Sequence, residues 1–420
     1  MSVRRPLAAV GLVVGLAATT VSHASTAASA PAAVDGAPAV EQPLYTFVSM
    51  PDWFNADIGD LRQLDTWRPG VGNSTNDKYR RSIRLMLDDI AAQNPDAVLV
   101  AGDLVEGHWG ADVDGTRFFG PVNTLEQRRQ QIRKAGRFYY GEWAERFALR
   151  DLTVYPAIGD HELGDDPWTG AGCYGAGCDF KRHAFPIYKQ TWVDVFGDVP
   201  GSVSRPVDTK FESTAYAVHV TPDVLVVTVD VFTRQDGDVH VRLTQGQLDW
   251  LDDLLETTTA STVIVQGHTP VLWPVRHRNS SQLYYEGAKE SAFWQTLTDH
   301  GVDLYLAGEV HDVTALTDSG VVQISHGGLI NRGGVNYVTG RVYADRIELE
   351  LHRFTADVAD PITQRLWATT SKRPNADVVY QPGTTITGTM TISGPQTVVR
   401  ASGELQPWDG TTPFAPTARH

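Results

Sequence analysis

Between Tyr155 and Asp166 the sequence reads YPAIGDHELGDD, an apolar run that ends in glycine and leads straight into Asp160, His161 and Glu162. Three adjacent ionisable groups are costly to bury unless something pairs them. Similar residues stand elsewhere after apolar runs. Asp52, Asn55 and Asp57 lie in PDWFNADIGD, Asp103 in GDLVEGHWG, His268 in GHTP, and Glu309 and His311 in GEVHD. Gathered in one place, such groups would repel one another or resist desolvation. Divalent cations remove that cost, and an oxygen–nitrogen donor set suits hard or borderline metals. The donors outnumber what one ion needs, so two ions sharing a carboxylate account for the surplus. Such a pair, about 3.5–4 Å apart, activates water and stabilises both oxygens of an in-line displacement.

For these residues to meet, each must sit at the end of a strand. Apolar runs at 44–50, 96–102, 152–159, 261–267 and 302–308 read as those strands. Helical spacing at 76–94, 124–151, 244–258 and near 286–300 separates them. Further strands are expected at 215–220, 224–230, 320–328, 337–345 and 346–354, whereas 165–213 shows no firm period. Strands alternating with helices imply α/β layers, and adjacent strand pairs add antiparallel sheet. Ligands of open α/β sheets bind beyond the carboxyl ends of the strands, which is where all these residues fall.

The order D…GD…GDHE…GH…GExH over residues 44 to 354 resembles the calcineurin-like metallophosphoesterase superfamily, which includes the purple acid phosphatases. The family pattern is D-x-H, GD, GNH-[DE], H and GHxH. The resemblance implies a four-layer α/β/β/α sandwich of two mixed sheets flanked by helices. It implies Asp103 bridging two divalent metal ions (Mn, Fe, Mg, Zn or Ca), Asp52 and His311 on the first, and His268 and Asp160 on the second. His161 would serve the leaving group, with Glu162 orienting it. The implied activity is hydrolysis of phosphate esters, mono- or diesters, by a metal-bridging hydroxide. Three positions depart from the pattern. Phe54 stands where D-x-H has its histidine, leaving Asn55 and Asp57 as candidates for the missing ligand. Asp160 replaces an asparagine, and Glu309 replaces the first histidine of GHxH. The exchanges make the site more anionic and harder than a histidine-rich zinc site. The lost histidine also motivates a rival: a non-catalytic secreted metal- or ligand-binding protein on the same scaffold. Taken singly, each motif reads equally as a turn, a cap or a solvated loop; the series of five carries the functional reading.

With 420 residues, 42% hydrophobic and 20% charged, the chain can bury a sizeable core. A net charge of −15 argues against nucleic acid or an anionic membrane surface and leaves a small phosphorylated substrate as the expected partner. Residues 1–30 have Arg4 and Arg5, an apolar run and small-residue cleavage options, and read as a signal peptide with no stable membrane insertion. Residues 31–42 read as a linker, 43–355 as the metallophosphoesterase domain, and 356–420 as a partly β extension with a disordered tail. Secretion suits a disulfide between the only two cysteines, Cys173 and Cys178. They lie in the long 165–206 loop, expected to govern specificity. His108, His326 and Arg332 are candidate rim residues, and Trp109, Trp168 and Trp273 candidate pocket walls.

Overall fold

The computed structural model describes residues 41–52, 57–70, 77–111, 117–165, 167, 178–201, 203–276, 283, 285–328, 334–358, 378–394 and 397–409. The chain alternates as the apolar runs suggest. Strand β1 (Tyr45–Ser49) is followed by helix α1 (Asp77–Ala92), β2 (Ala97–Val100), α2 (Leu125–Ala148), β3 (Val154–Pro156) and α3 (Cys178–Phe196). Then come β4 (Val203–Ser204), β5 (Tyr216–Thr221), β6 (Val224–Thr228), β7 (Phe232–Gln235) and β8 (Asp238–Val241). Helix α4 (Gln245–Thr257), β9 (Thr262–Gln266), α5 (Ala292–Asp299) and β10 (Leu304–Ala307) lead to the closing strands. These are β11 (Thr314–Asp318), β12 (Val321–Ser325), β13 (Asn336–Val342), β14 (Arg346–Val358), β15 (Val378–Ser393) and β16 (Thr397–Gly403).

Two seven-stranded mixed sheets result, ordered β16-β15-β14-β13-β1-β2-β3 and β11-β12-β10-β9-β6-β5-β4, and helices flank them. The α/β/β/α sandwich implied by the resemblance is the fold observed. In the first sheet β1, β2 and β3 run parallel; in the second β6, β9, β10 and β12 do. Every residue of β2, β6, β9, β10 and β12 is buried, as expected of strands covered on both faces. Hydrogen bonds cross between the sheets. The Tyr216 hydroxyl donates to the Pro156 carbonyl (2.8 Å), and Gln266 Nε2 donates to the Tyr155 carbonyl (2.7 Å). The carboxyl ends of both parallel sets are thereby held at one edge of the core.

The helices follow their apolar faces. α1 buries Tyr79, Ile83, Met86, Leu87 and Ile90, the one-sided spacing of a helix lying on a core. α2 begins at a capping box in which Thr124 and Gln127 satisfy each other's backbone N–H groups. α3 lies in the stretch where no firm period was expected. Pro186 inside it removes one helical hydrogen bond and breaks the usual helix signature, yet Ala184, Phe185, Tyr188 and Trp192 are buried. The segment expected as a partly β extension holds β15 and β16. β15 and β16 continue the first sheet and bury Tyr380, Met390, Ile392 and Leu405. The expected signal peptide, the last eleven residues and Cys173 lie outside the described residues; Cys178 opens α3.

Candidate metal centre

The loops that leave β1, β2, β3, β9 and β10 carry Asp52, Asp103, Asp160, His268, Glu309 and His311, all of them buried. Four of the six take backbone conformations that L-residues rarely adopt. Asp52, Asp103, Glu309 and His311 have φ of 55°, 64°, 69° and 52°. Strain of this kind persists only where the surroundings over-determine it, and it collects at functional sites. Glycines let the loops close up. A Cβ on Gly159 would lie 2.1 Å from Asp103 Oδ1, and one on Gly308 would lie 2.5 Å from Asp52 Oδ2.

Among the described residues four groups of carboxylates and imidazoles stand close enough to hold an ion; two surround His161 (Glu106, His108, His161 and Asp160, His161, Asp165), and the other two share Asp103. Of these last, one consists of Asp52, Asp103 and His311; the other of Asp103, Asp160, His268 and Glu309. Within each group, one donor atom per residue lies within 4.8 Å of the others. In the second group His268 Nε2 is 3.0 Å from Asp160 Oδ1, 3.2 Å from Glu309 Oε2 and 3.5 Å from Asp103 Oδ1. A cation with bonds of about 2.1 Å holds neighbouring donors roughly 3.0 Å apart in an octahedron and roughly 3.4 Å apart in a tetrahedron. The spacing therefore fits a small divalent ion. His268 Nδ1 donates to the Ala101 carbonyl (2.8 Å), which turns Nε2 toward the carboxylates. Such an outer hydrogen bond is what orients a ligating histidine. In the first group His311 Nε2 is 3.7 Å from Asp52 Oδ1, which also accepts the Glu309 N–H (2.8 Å). Asp52 Oδ2 is buried with no hydrogen-bond partner. A buried carboxylate oxygen left so is costly in a protein alone and suited to a metal bond.

The electrostatics agree. Burial, opposed by the charge of His268, pushes the Asp52 carboxyl up to about 8. Burial likewise raises Asp103 well above the ordinary carboxylate range. Burial also acts on Asp160, but the hydrogen bond from His268 and the charge of His161 outweigh it and hold that carboxyl low. His161 and His268 are both raised well above the usual imidazole range, because Asp103 and its neighbours overcome the desolvation cost. Protons thus substitute for the positive charge that this donor set requires.

Other residues fall differently from expectation. Glu162 does not reach the His161 ring. Its carboxylate accepts the N–H groups of Asp103 (2.9 Å), Leu104 (3.0 Å) and Gly159 (2.8 Å), tying the β2 and β3 loops together. The His161 ring is held instead through Nδ1, which donates to the Glu106 carbonyl (2.9 Å). His161 Nε2 lies 4.0 Å from Asp103 Oδ2, on the rim of the paired groups. Asp57 belongs to neither group. Its carboxylate accepts from the Glu106 and Gly107 N–H groups and from Trp109 Nε1 (3.0 Å), bracing the β2 loop. Phe54, Asn55, Trp168 and Arg332 lie outside the described residues. Trp109 is buried among Tyr139, Tyr140 and Tyr188, as core and not as a pocket wall. Trp273 is 43% exposed. His326 is fully buried at the end of β12 and shares a 2.8 Å hydrogen bond with Ser49; burial lowers it to about 3. Glu106 and Asp165, which surround His161, stand several residues beyond the apolar runs and so lack the strand-end signal of the others. The second Gly-Asp pair in GDHELGDD was the available signal.

Residues 53–313 match the family model for calcineurin-like phosphoesterases. Among solved structures, one described as that of PhoD superposes with a TM-score of 0.50 at 12% identity, covering 89% of this chain and 74% of that one. GAP50, described as the anchor in the inner membrane complex of Plasmodium, gives 0.40 at 12% identity, with coverages of 77% and 86%. A putative 5'-nucleotidase from Staphylococcus aureus gives 0.35 at 13% identity, with 70% and 50%. No curated protein matches the sequence. The family match spans more than half of the chain, and the two sheets and shared-carboxylate donor groups accord with it: the chain belongs to the calcineurin-like phosphoesterases, a family of metal-dependent hydrolases that normally use a dinuclear metal centre.

Proposed function

We propose that this chain is an exported hydrolase of small phosphate esters that works with two divalent cations. The observation that carries the reading is Asp103, one buried carboxylate common to two groups of potential metal ligands. Asp52, Asp103 and His311 would hold the first cation, and Asp103, Asp160, His268 and Glu309 the second. Bound divalent cations would neutralise charge on the phosphoryl oxygens and lower the pKa of water. The chain's own groups do the rest. Glu162 fixes the Asp103 loop against the Asp160 loop through three backbone N–H groups. His161, held through Nδ1 by the Glu106 carbonyl, keeps Nε2 toward the paired groups, where it can give a proton to the departing oxygen. The second group offers three carboxylates and one imidazole, a set that favours Mn, Mg, Fe or Ca over Zn. The acidic net charge favours a small ester over a polyanion. Export rests on the N-terminal sequence alone.

The test is turnover of chromogenic phosphate mono- and diesters by the mature protein with Mn, Mg, Fe, Zn and Ca, beside His161→Ala. Metal-dependent turnover that falls by about 10²-fold or more in the variant is expected. Tight metal binding with no turnover on any ester would sink the reading and favour the binding-protein rival.

A further inference from the structure

The described chain does not stop at the last strand of the first sheet. Past β16 the Glu404 carboxylate accepts from Arg353 Nε (3.1 Å) and Nη2 (2.8 Å), and Leu405 is fully buried. The Trp408 N–H then donates to the Ala315 carbonyl (2.9 Å) on β11. The segment thus passes from the edge strand of one sheet to an edge strand of the other. β11 starts three residues beyond His311, and the family match ends at residue 313. Trp408 therefore reaches the neighbourhood of the metal centre from outside the part of the chain that the family accounts for.

Arg276 meets it there. The loop that carries Arg276 leaves β9 at His268 and returns to the second donor group, where the Leu283 N–H donates to Glu309 Oε1 (3.1 Å). The Arg276 N–H donates to Thr314 Oγ1 (2.8 Å), and its guanidinium lies over the Trp408 ring, 5.8 Å from the centroid. Arg146, Arg150, Arg341 and Arg353, half-buried like Arg276, each have a carboxylate oxygen within 2.8 Å. Among the described residues the Arg276 guanidinium has neither a carboxylate nor a carbonyl partner. In a chain of net charge −15, this cation is kept apart from the protein's own acids. Stacking engages the flat face of a guanidinium and leaves the N–H groups at its edge, where the planar fork can meet an oxyanion with two hydrogen bonds.

We infer that Arg276, steadied by Trp408, binds a second anionic group of the substrate: the ester hydrolysed carries a phosphate or a carboxylate besides the phosphoryl group at the metals. The inference rests on the hydrolase reading given above. Arg276 and Trp408 set specificity and take no part in the bond that breaks. Phosphate and carboxylate present the same paired oxygens to the guanidinium, so substrates of both kinds belong in the test.

Three matched substrates, over a series of chain lengths, provide it: an alkyl phosphate, the same chain ending in a carboxylate, and the same chain ending in a second phosphate. The quantity read is the ratio of kcat/KM for each anion-bearing ester to that for the plain one, with the melting temperature of every variant. Wild type should prefer one or both anion-bearing esters by about 10–100-fold, the range of hydrogen bonds to a charged group. The ester preferred identifies the group. Arg276→Gln should bring the ratio close to one, and Arg276→Lys, which keeps the charge without the fork, should fall between. Trp408→Leu should lower the ratio about 2–5-fold, and Trp408→Phe, which keeps a ring, by less. Each ratio is taken within one variant, so a general loss of folded or metal-loaded protein cancels. A ratio near one in wild type, or one that Arg276→Gln leaves unchanged, overturns the inference while the hydrolase reading stands. Wild type silent on every ester overturns both.

Discussion

The residues that depart from the family pattern define this site as much as those that keep it. Glu309 makes the second donor group three carboxylates and one imidazole. Glu309→His should shift preference toward Zn, read as the ratio of Zn to Mn affinity by calorimetry; an unchanged ratio would mean that Glu309 does not ligate. Glu162 shows how far one side chain's role can differ from its position in a motif. Adjacent to His161 in sequence, it turns the other way and accepts three backbone N–H groups. Glu162→Gln would place an amide donor against one of them. The expected cost is about 1–3 kcal/mol of stability, with weaker metal binding, seen in denaturant unfolding and metal titration; unchanged stability and affinity would contradict the bracing role. Most of the metal-competent residues were legible in the sequence, because each follows a glycine or proline at the end of an apolar run. Partners were not. Spacing placed Asp57 and Asp52 in one loop, but only the fold turns Asp57 to Trp109 and Asp52 to Glu309.

At the level of elements, the parallel strands were readable because burial on both faces demands unbroken apolar runs such as AVLV and TVIVQ. α3 was not, since Pro186 and the glycine-rich approach to it look like loop. The β7–β8 hairpin turns at Asp236-Gly237, both at positive φ, a strong two-residue turn signal. The start of β10 also stores a cost unrelated to chemistry. Asp303, whose carboxylate accepts the Val263 N–H (2.9 Å), is raised to about 6 by burial. A carboxyl whose pKa is higher in the folded than in the unfolded state supports folding below the unfolded value. That support is lost as pH rises through about 4 to 6. Asp303→Asn keeps an acceptor for Val263 and removes the charge. It should gain on the order of 2–3 kcal/mol over wild type at pH 7 and nothing at pH 3, measured by denaturant unfolding at both. A gain that does not vary with pH would contradict this.

At the level of the molecule, the two sheets exist to bring strand ends from distant parts of the chain together: Asp52 and Glu309 are 257 residues apart and joined by a 2.8 Å hydrogen bond. β15 and β16 contribute to the same body, so deleting residues 378–409 should leave a chain without a cooperative melt, since the core loses the buried Tyr380, Met390, Ile392 and Leu405 and β14 loses its strand partner. A cooperative melt in the truncated chain would show that the C-terminal strands are dispensable. Cations that bind only the folded state should stabilise it by about 2.7 kcal/mol at a concentration one hundred times Kd. The central claim is that one carboxylate serves two metals and that both are needed for hydrolysis. The most direct test is to measure bound metal per chain and phosphate-ester turnover together, in wild type and Asp103→Asn after equilibrium dialysis. Two equivalents and turnover in wild type, with at most one equivalent and no turnover in the variant, is the predicted result. A variant that keeps two metals and its turnover would contradict the claim.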